Sequence, residues 1–162
     1  MTYTISLIVE NHQGVLSRIA GLFSGRGYNL ESITAGITND PSMTRLTLIC
    51  NGDALIVDQI KKQLNNLVDV IRVDDLSEKP RIDREIALIK VAAAPAKRSE
   101  LFQVADVFNA KVMDVAADSL VIELTGSPEK INDLLALLHD YTILELVRSG
   151  LVSIERGKKN RR

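Results

Sequence analysis

TYTISLIVENHQGVLSRIAGLF, residues 2–23, changes its hydrophobic period from that of a strand to that of a helix across one short loop. Its first part alternates apolar and polar residues, which predicts a half-buried strand with one apolar face: Tyr3, Ile5, Leu7 and Val9. Its last part repeats apolar residues at i, i+3, i+4 and i+7, which predicts an amphipathic helix with this buried stripe: Leu16, Ile19, Ala20 and Phe23. The chain therefore opens as strand, loop and helix.

The residues that follow complete a small sandwich. Residues 30–37 and 45–50 alternate again around a polar turn, which predicts an antiparallel hairpin. Asp53 is placed to cap a second helix, and residues 68–73 form the last strand. The order βαββαβ with right-handed crossovers predicts a four-stranded antiparallel sheet with both helices on one face, the ferredoxin-like fold.

The second half of the chain repeats this order. Ser127-Pro128 combines an N-cap with proline at the first helical position, and Ser99 is a candidate cap for the helix before it. The predicted strands are residues 86–92, 111–115, 120–125 and 143–147. The polar, proline-containing stretch 76–81 cannot extend a sheet, so we place a domain boundary there. The predicted fold class is α+β, with two tandem ferredoxin-like modules at residues 1–76 and 82–162.

The composition is that of a globular protein without a membrane or nucleic-acid partner. Hydrophobic residues make up 46% of the chain and charged residues 25%, and no apolar run approaches the ~20 residues that span a bilayer. The N-terminus lacks the basic and apolar regions of an export signal, so a cytoplasmic protein is expected. Residues 156–162 hold five of the 20 Lys and Arg; the acidic body that remains disfavours nucleic acid, and we interpret the basic tail as a solubilising terminus.

Residue patterns that carry out catalysis or bind a metal ion are not found in the sequence. His12 and His139 fall in different modules, and neither has a cysteine or a second histidine at ligand spacing. The single cysteine, Cys50, ends an apolar strand and is expected to be a core residue. We therefore predict no catalytic residue and no metal ligand.

The loop before the first helix is the strongest candidate for a binding site. Unpaired N–H groups and the positive end of the helix dipole favour a carboxylate there, and Gly14 lets a ligand approach the backbone. Asn11 and Asn29 are expected to bring side-chain amides to this region, and Leu16 and Ile33 an apolar edge, which together describe an amino acid. The alternative is that these residues have structural roles only: Asn11 caps the helix, Gly14 relieves backbone strain in a turn, and Asn29 adopts the left-handed conformation.

Several stretches resemble one protein family. Asn11-His12-Gln13-Gly14-Val15-Leu16-Ser17-Arg18-Ile19 and Arg26-Gly27-Tyr28-Asn29-Leu30-Glu31-Ser32 resemble the ACT domain of the regulatory small subunit of acetohydroxyacid synthase, or acetolactate synthase. The same family is matched in order by TRLT at 44–47, LVDV at 67–70, REIALIKV at 84–91 and VRSG at 147–150. The resemblance covers essentially the whole chain, and the second module distinguishes this subunit from other proteins with an ACT domain.

The resemblance implies a regulatory role. Residues 1–76 would be the effector-binding ACT domain and residues 82–162 a C-terminal ferredoxin-like domain. Small subunits of this family activate a separate catalytic large subunit, which carries thiamine diphosphate, Mg²⁺ and FAD and condenses pyruvate with a second 2-keto acid. They also confer feedback inhibition by a branched-chain amino acid, usually valine. This chain is itself expected to hold no cofactor.

The same resemblance places the effector between the ACT domains of two subunits, in a homodimer. Carried onto this sequence, the expected effector site consists of Asn11, His12, Gln13, Gly14, Val15, Leu16, Asn29 and Ile33.

Other functions stay open at this point. A ferredoxin-like enzyme of the acylphosphatase kind would need an arginine-bearing phosphate loop after its first strand, where this chain has Asn, His, Gln and Gly. An amino-acid-responsive transcription regulator would need a helix-turn-helix module, for which no segment remains. An amino-acid-sensing regulator of a different enzyme is the third alternative.

Overall fold

The computed structural model describes residues 1–157 and divides into two compact units. The first comprises Met1–Ile82 together with the segment that begins at Leu151, and the second comprises Asp83–Gly150. Within the first unit the elements follow in this order: β1 (Thr2–Glu10), α1 (Val15–Arg26), β2 (Asn29–Ile37), β3 (Met43–Asn51), α2 (Ala54–Asn65) and β4 (Val70–Asp75). The strands form an antiparallel sheet in the order β2-β3-β1-β4.

The second unit has the same element order and the same strand order. Its elements are β5 (Arg81–Ala92), α3 (Arg98–Val107), β6 (Lys111–Val115), β7 (Ser119–Gly126), α4 (Pro128–Leu137) and β8 (Ile143–Arg148). The sheet order is β6-β7-β5-β8. The final strand, β9 (Val152–Glu155), belongs to the first unit and pairs with β5, which begins in the first unit at Arg81. The predicted α+β fold of two ferredoxin-like modules is confirmed. Within residues 1–157 no helix has the length and apolar character needed to cross a membrane.

Local sequence signals predict two helix starts correctly. The Asp53 side chain accepts a hydrogen bond from the Ile56 N–H at 2.8 Å, and Ser127 caps α4 with Pro128 at its first position. Ser99 is not a cap, because α3 begins one residue earlier, after a short 3₁₀ turn. Arg98 starts that helix and donates to the carbonyls of Ala116 and Ala117 at 2.7 and 2.6 Å, a long-range contact that local pattern does not reveal.

The buried face of α1 differs by about one residue from the predicted stripe. Val15, Ile19 and Phe23 are buried against the sheet, whereas Leu16 is 49% exposed and Ala20 is exposed as well. Val15 is the first helical residue after the loop and turns its side chain into the core. Leu16 is therefore free to face a ligand or a partner, and Val15 is not.

Strand β1 is buried on both faces, not on one as predicted. Thr4, Ser6 and the cross-strand Thr47 are 3%, 1% and 4% exposed. The C-terminal segment of the same unit contacts this face of the sheet at Arg45, whose guanidinium donates to the Ser153 carbonyl at 3.2 Å. Residues that are distant in sequence therefore contact a face that its alternating pattern assigns to solvent.

Removing β9 should destabilise the first unit. A chain that ends at Gly150 loses the buried Leu151, a burial worth about 2 kcal/mol, and the hydrogen bond from Arg45 to the Ser153 carbonyl. We expect the Tm to fall by about 4–8 °C in thermal unfolding followed by circular dichroism. A chain that ends at Gly157 keeps β9 and serves as the control. Equal Tm values for the two chains would show that the C-terminal segment does not stabilise the fold.

Candidate functional site

The loop between β1 and α1 leaves the start of the helix uncapped. Gly14 occupies the N-cap position in the left-handed region, with φ +86° and ψ −12°, and no side chain caps the helix. Asn11 is not the cap that the alternative interpretation required, because its Nδ2 donates to the Pro41 carbonyl at 2.9 Å. The backbone N–H groups of the first turn therefore lack a side-chain partner, which suits them to an anion.

A cluster of charged side chains borders this loop. The buried Asp69 carboxylate, 5% exposed, accepts from Arg18 Nε at 2.5 Å and lies 3.0 Å from His12 Nε2. The hydrogen bond from Arg18 holds the pKa of Asp69 below its ordinary value despite the opposing effect of desolvation. Arg18 Nη1 would lie 3.2 Å from a Cβ atom added at Gly14, so the guanidinium stands directly beside the helix N-terminus.

His12 connects the loop to the neighbouring strands. Its Nδ1 lies 3.1 Å from the Gln13 carbonyl oxygen, and its Nε2 lies 3.1 Å from Glu10 Oε2. The carbonyl of Gln13, followed by the carboxylates of Glu10 and Asp69, raises the pKa of His12, although desolvation acts against them. The pairing of Arg18 with Asp69 is not apparent from the sequence, because 51 residues separate them and no local motif links them.

Asn29 lies at the far end of the sheet from this loop. It pairs in register with Asn51, whereas Asn11 donates its N–H to the Ser42 carbonyl at the other end of β3. Nine residues of strand separate those two positions, a span of roughly 30 Å. Asn29 therefore does not reach the loop of its own chain. Asn29 is also not left-handed, since Asn109 is the one non-glycine residue of 1–157 with a positive φ.

The edge of the first sheet carries exposed apolar side chains. Strand β2 forms one edge of the sheet, and Ile33 and Ile37 are 40% and 68% exposed. Ile33 pairs in register with the buried Leu48 and so lies on the helix side of the sheet, the side that also carries α1 with its exposed Leu16. An unpaired strand edge with apolar side chains is typical of a surface that pairs with another chain.

Comparisons with known proteins point to one family over nearly the whole chain. A family model described as the AHAS small subunit-like ACT domain matches residues 5–72, and a model described as the small subunit of acetolactate synthase matches residues 84–157. The probable acetolactate synthase small subunit of Archaeoglobus fulgidus is 43% identical, over 98% of this chain and 99% of that protein. The chain belongs to the acetolactate synthase small-subunit family.

Two further relatives support membership of the small-subunit family. The acetolactate synthase small subunit of Haemophilus influenzae is 45% identical over 99% of both chains. The crystal structure of the acetolactate synthase small subunit from Thermotoga maritima superposes with a TM-score of 0.88 at 35% identity, over 98% of this chain and 99% of that chain. As a small subunit, the chain is a regulatory component of an enzyme complex and not its catalyst, which excludes the acylphosphatase-like alternative.

Among the residues that the structure describes, one group of this small subunit has the spacing of metal ligands. Ligand atoms of Glu10, His12 and Asp69 lie within 4.8 Å of one another. Arg18 already binds Asp69 Oδ2, and its positive charge opposes a second cation at that carboxylate. We therefore treat the group as an ion-pair network. Cys50 is a core residue, as predicted: burial raises the pKa of its thiol to about 11.

Proposed function

We propose that this small subunit binds a branched-chain amino acid, with valine as the expected effector. The bound effector inhibits the acetolactate synthase complex to which the chain belongs. The observation that carries the proposal is the uncapped start of α1. There the left-handed Gly14 leaves backbone N–H groups unshielded, and the Arg18 guanidinium stands beside them. Both features suit the carboxylate of an amino acid.

Two copies of the chain supply a complete site. If two β2 edges pair about a two-fold axis, the strands run antiparallel, and the start of one lies beside the end of the other. The start of β2 is Asn29, and its end, Ile37, pairs with Thr44 beside the loop at residues 11–14. Asn29 of the partner subunit would then approach the loop that Asn29 of the same chain cannot reach.

The apolar edge fits the same arrangement. Leu16 and Ile33 are about half exposed in the single chain, and a partner along β2 would cover them. The effector site that we propose thus uses the backbone of residues 12–15 and the side chains of Asn11, Leu16 and Ile33 from one copy. The second copy supplies Asn29. Sedimentation should accordingly give twice the 17.8 kDa chain mass.

In this proposal the two domains have different functions. Residues 1–76 bind the effector, and residues 82–162 couple the chain to the catalytic large subunit, which holds thiamine diphosphate, Mg²⁺ and FAD. This assignment is supported by Leu88 and Val147, which form a cross-strand pair between β5 and β8. They are 40% and 52% exposed, so they present apolar surface that a partner subunit could cover. We place the complex in the cytoplasm.

Calorimetry and reconstitution test the proposed function. The full chain, titrated with valine, leucine and isoleucine, should bind at least one of them at one molecule per chain, because a two-fold dimer has two equivalent sites. Adding the chain to an acetolactate synthase catalytic subunit should raise its activity and make it sensitive to the same amino acid. A chain that binds none of the three would contradict the proposal.

A further inference from the structure

Asp69 joins three parts of the first unit at one carboxylate. Arg18 from α1 donates to Oδ2, His12 from the loop faces Oδ1, and the Asp69 carbonyl accepts from the Glu10 N–H at 2.9 Å. Asp69 lies in the connection from α2 to β4 and is buried. Burying a carboxylate costs free energy unless the charge is paired. The Arg18 and His12 side chains that reach Asp69 are therefore constrained in position.

Both ring nitrogens of His12 face acceptors. Nδ1 faces the Gln13 carbonyl, and Nε2 faces the carboxylates of Glu10 and Asp69, each at 3.0–3.1 Å. A neutral imidazole has one N–H, so its other nitrogen would direct a lone pair at an oxygen atom. Only the doubly protonated ring satisfies all of these contacts.

The charges around His12 balance only when the ring is protonated. The groups that face it are Glu10 from β1 and Asp69 from the α2–β4 connection, with Arg18 from α1 on the far side of Asp69. Two carboxylates then meet two cations. Loss of the ring proton leaves one carboxylate without its charged partner and removes one of the two ring N–H donors, which weakens the attachment of the loop to Asp69.

We infer that Asp69 is a positioning residue for the effector loop: through Arg18 and protonated His12 it holds residues 11–14 in the conformation that receives the effector carboxylate. This inference rests on the proposed function. Asp69 touches no effector itself, since its oxygens are taken by the two cations. Its role is to keep Arg18 beside Gly14 and to anchor the loop.

The inference makes effector affinity dependent on pH. The pKa of His12 in the folded chain is raised above the ordinary value of 6.5. The charge-assisted contact of His12 is therefore complete below pH 6.5, and its charge and one N–H donor are lost as pH rises through the raised pKa. Valine should bind more tightly to the acidic form of the loop than to the basic form.

Calorimetric titration of the full chain with valine at about pH 6 and at about pH 8 tests this inference. The wild-type chain should bind more weakly at the higher pH. Asp69→Asn keeps the shape and removes the charge; at the lower pH it should weaken binding by roughly tenfold or more and abolish the pH dependence. Asp58→Asn is the matched control, because Asp58 lies on the exposed side of α2 and pairs with Lys61.

The possible outcomes separate the two proposals. If the wild-type chain binds no branched-chain amino acid at either pH, the proposed function fails, and this inference fails with it. If the wild type binds and Asp69→Asn matches it in affinity and pH dependence, the positioning role alone is overturned. Should Asp69→Asn fail to fold, the exposed His12→Gln decides, because a wild-type pH dependence in that variant would overturn the inference.

Discussion

Gly14→Asp should abolish inhibition of the reconstituted acetolactate synthase by valine while leaving activation of the catalytic subunit intact. The new carboxylate would stand about 4 Å from that of the effector, a repulsion of about 4 kcal/mol at an effective dielectric constant near 20. It would also pair with Arg18, whose Nη1 lies 3.2 Å from the added Cβ position. Even half of the repulsion weakens binding roughly thirtyfold.

That loss is large compared with the net free energy expected for valine binding. Burial of a valine side chain contributes about 1.5–3 kcal/mol, and association costs at least about 4 kcal/mol that hydrogen bonds must offset. The measurement is the valine concentration that half-inhibits the complex, for the wild type and the variant. An unchanged midpoint would show that the effector does not bind at the start of α1.

Gly14→Asn is the matched control for charge. Gly14 has φ +86°, a conformation that asparagine and aspartate adopt at a similar modest cost, so the two variants carry the same strain. The asparagine side chain brings no charge, and its valine midpoint should rise less than that of Gly14→Asp. Equal losses would mean that the side chain blocks the site by its bulk.

Mixing two defective small subunits should restore part of the effector binding. Asn11→Ala and Asn29→Ala homodimers each have both proposed sites damaged, because every site needs Asn11 of one copy and Asn29 of the partner subunit. In a mixed dimer both lesions fall in the same site and the other site is intact. After free subunit exchange in an equimolar mixture, about a quarter of all sites should bind valine, as calorimetric stoichiometry would measure.

The control for this experiment combines lesions that lie on one half of the site. Asn11→Ala mixed with Gly14→Asp should restore nothing, because each site in the mixed dimer contains one damaged loop. Recovery in the control, or none in the test mixture, would rule out a site shared between two copies in the proposed way. Sedimentation of each variant as a dimer is needed for the comparison.

Local patterns in the sequence predicted the architecture well. The changes of hydrophobic period located both βαββαβ modules, and Asp53 and Ser127 marked two helix starts correctly. These features depend on neighbours within a few residues, which a single sequence displays directly. Leu16 was wrongly assigned to the buried stripe of α1, and Ser99 was wrongly assigned as the cap of α3, which begins one residue earlier at Arg98.

The sequence by itself determined the fold class and the family, and it predicted the loop at which we propose that an anion approaches α1. Only the tertiary structure decided that Asn29 lies roughly 30 Å from that loop, since strand register sets the end of the sheet at which a residue lies. It also decided that the buried Asp69 holds Arg18 and His12, and that the C-terminal segment contacts Arg45 of β3. Each of these depends on contacts across more than 20 residues, and local patterns carry no record of such contacts.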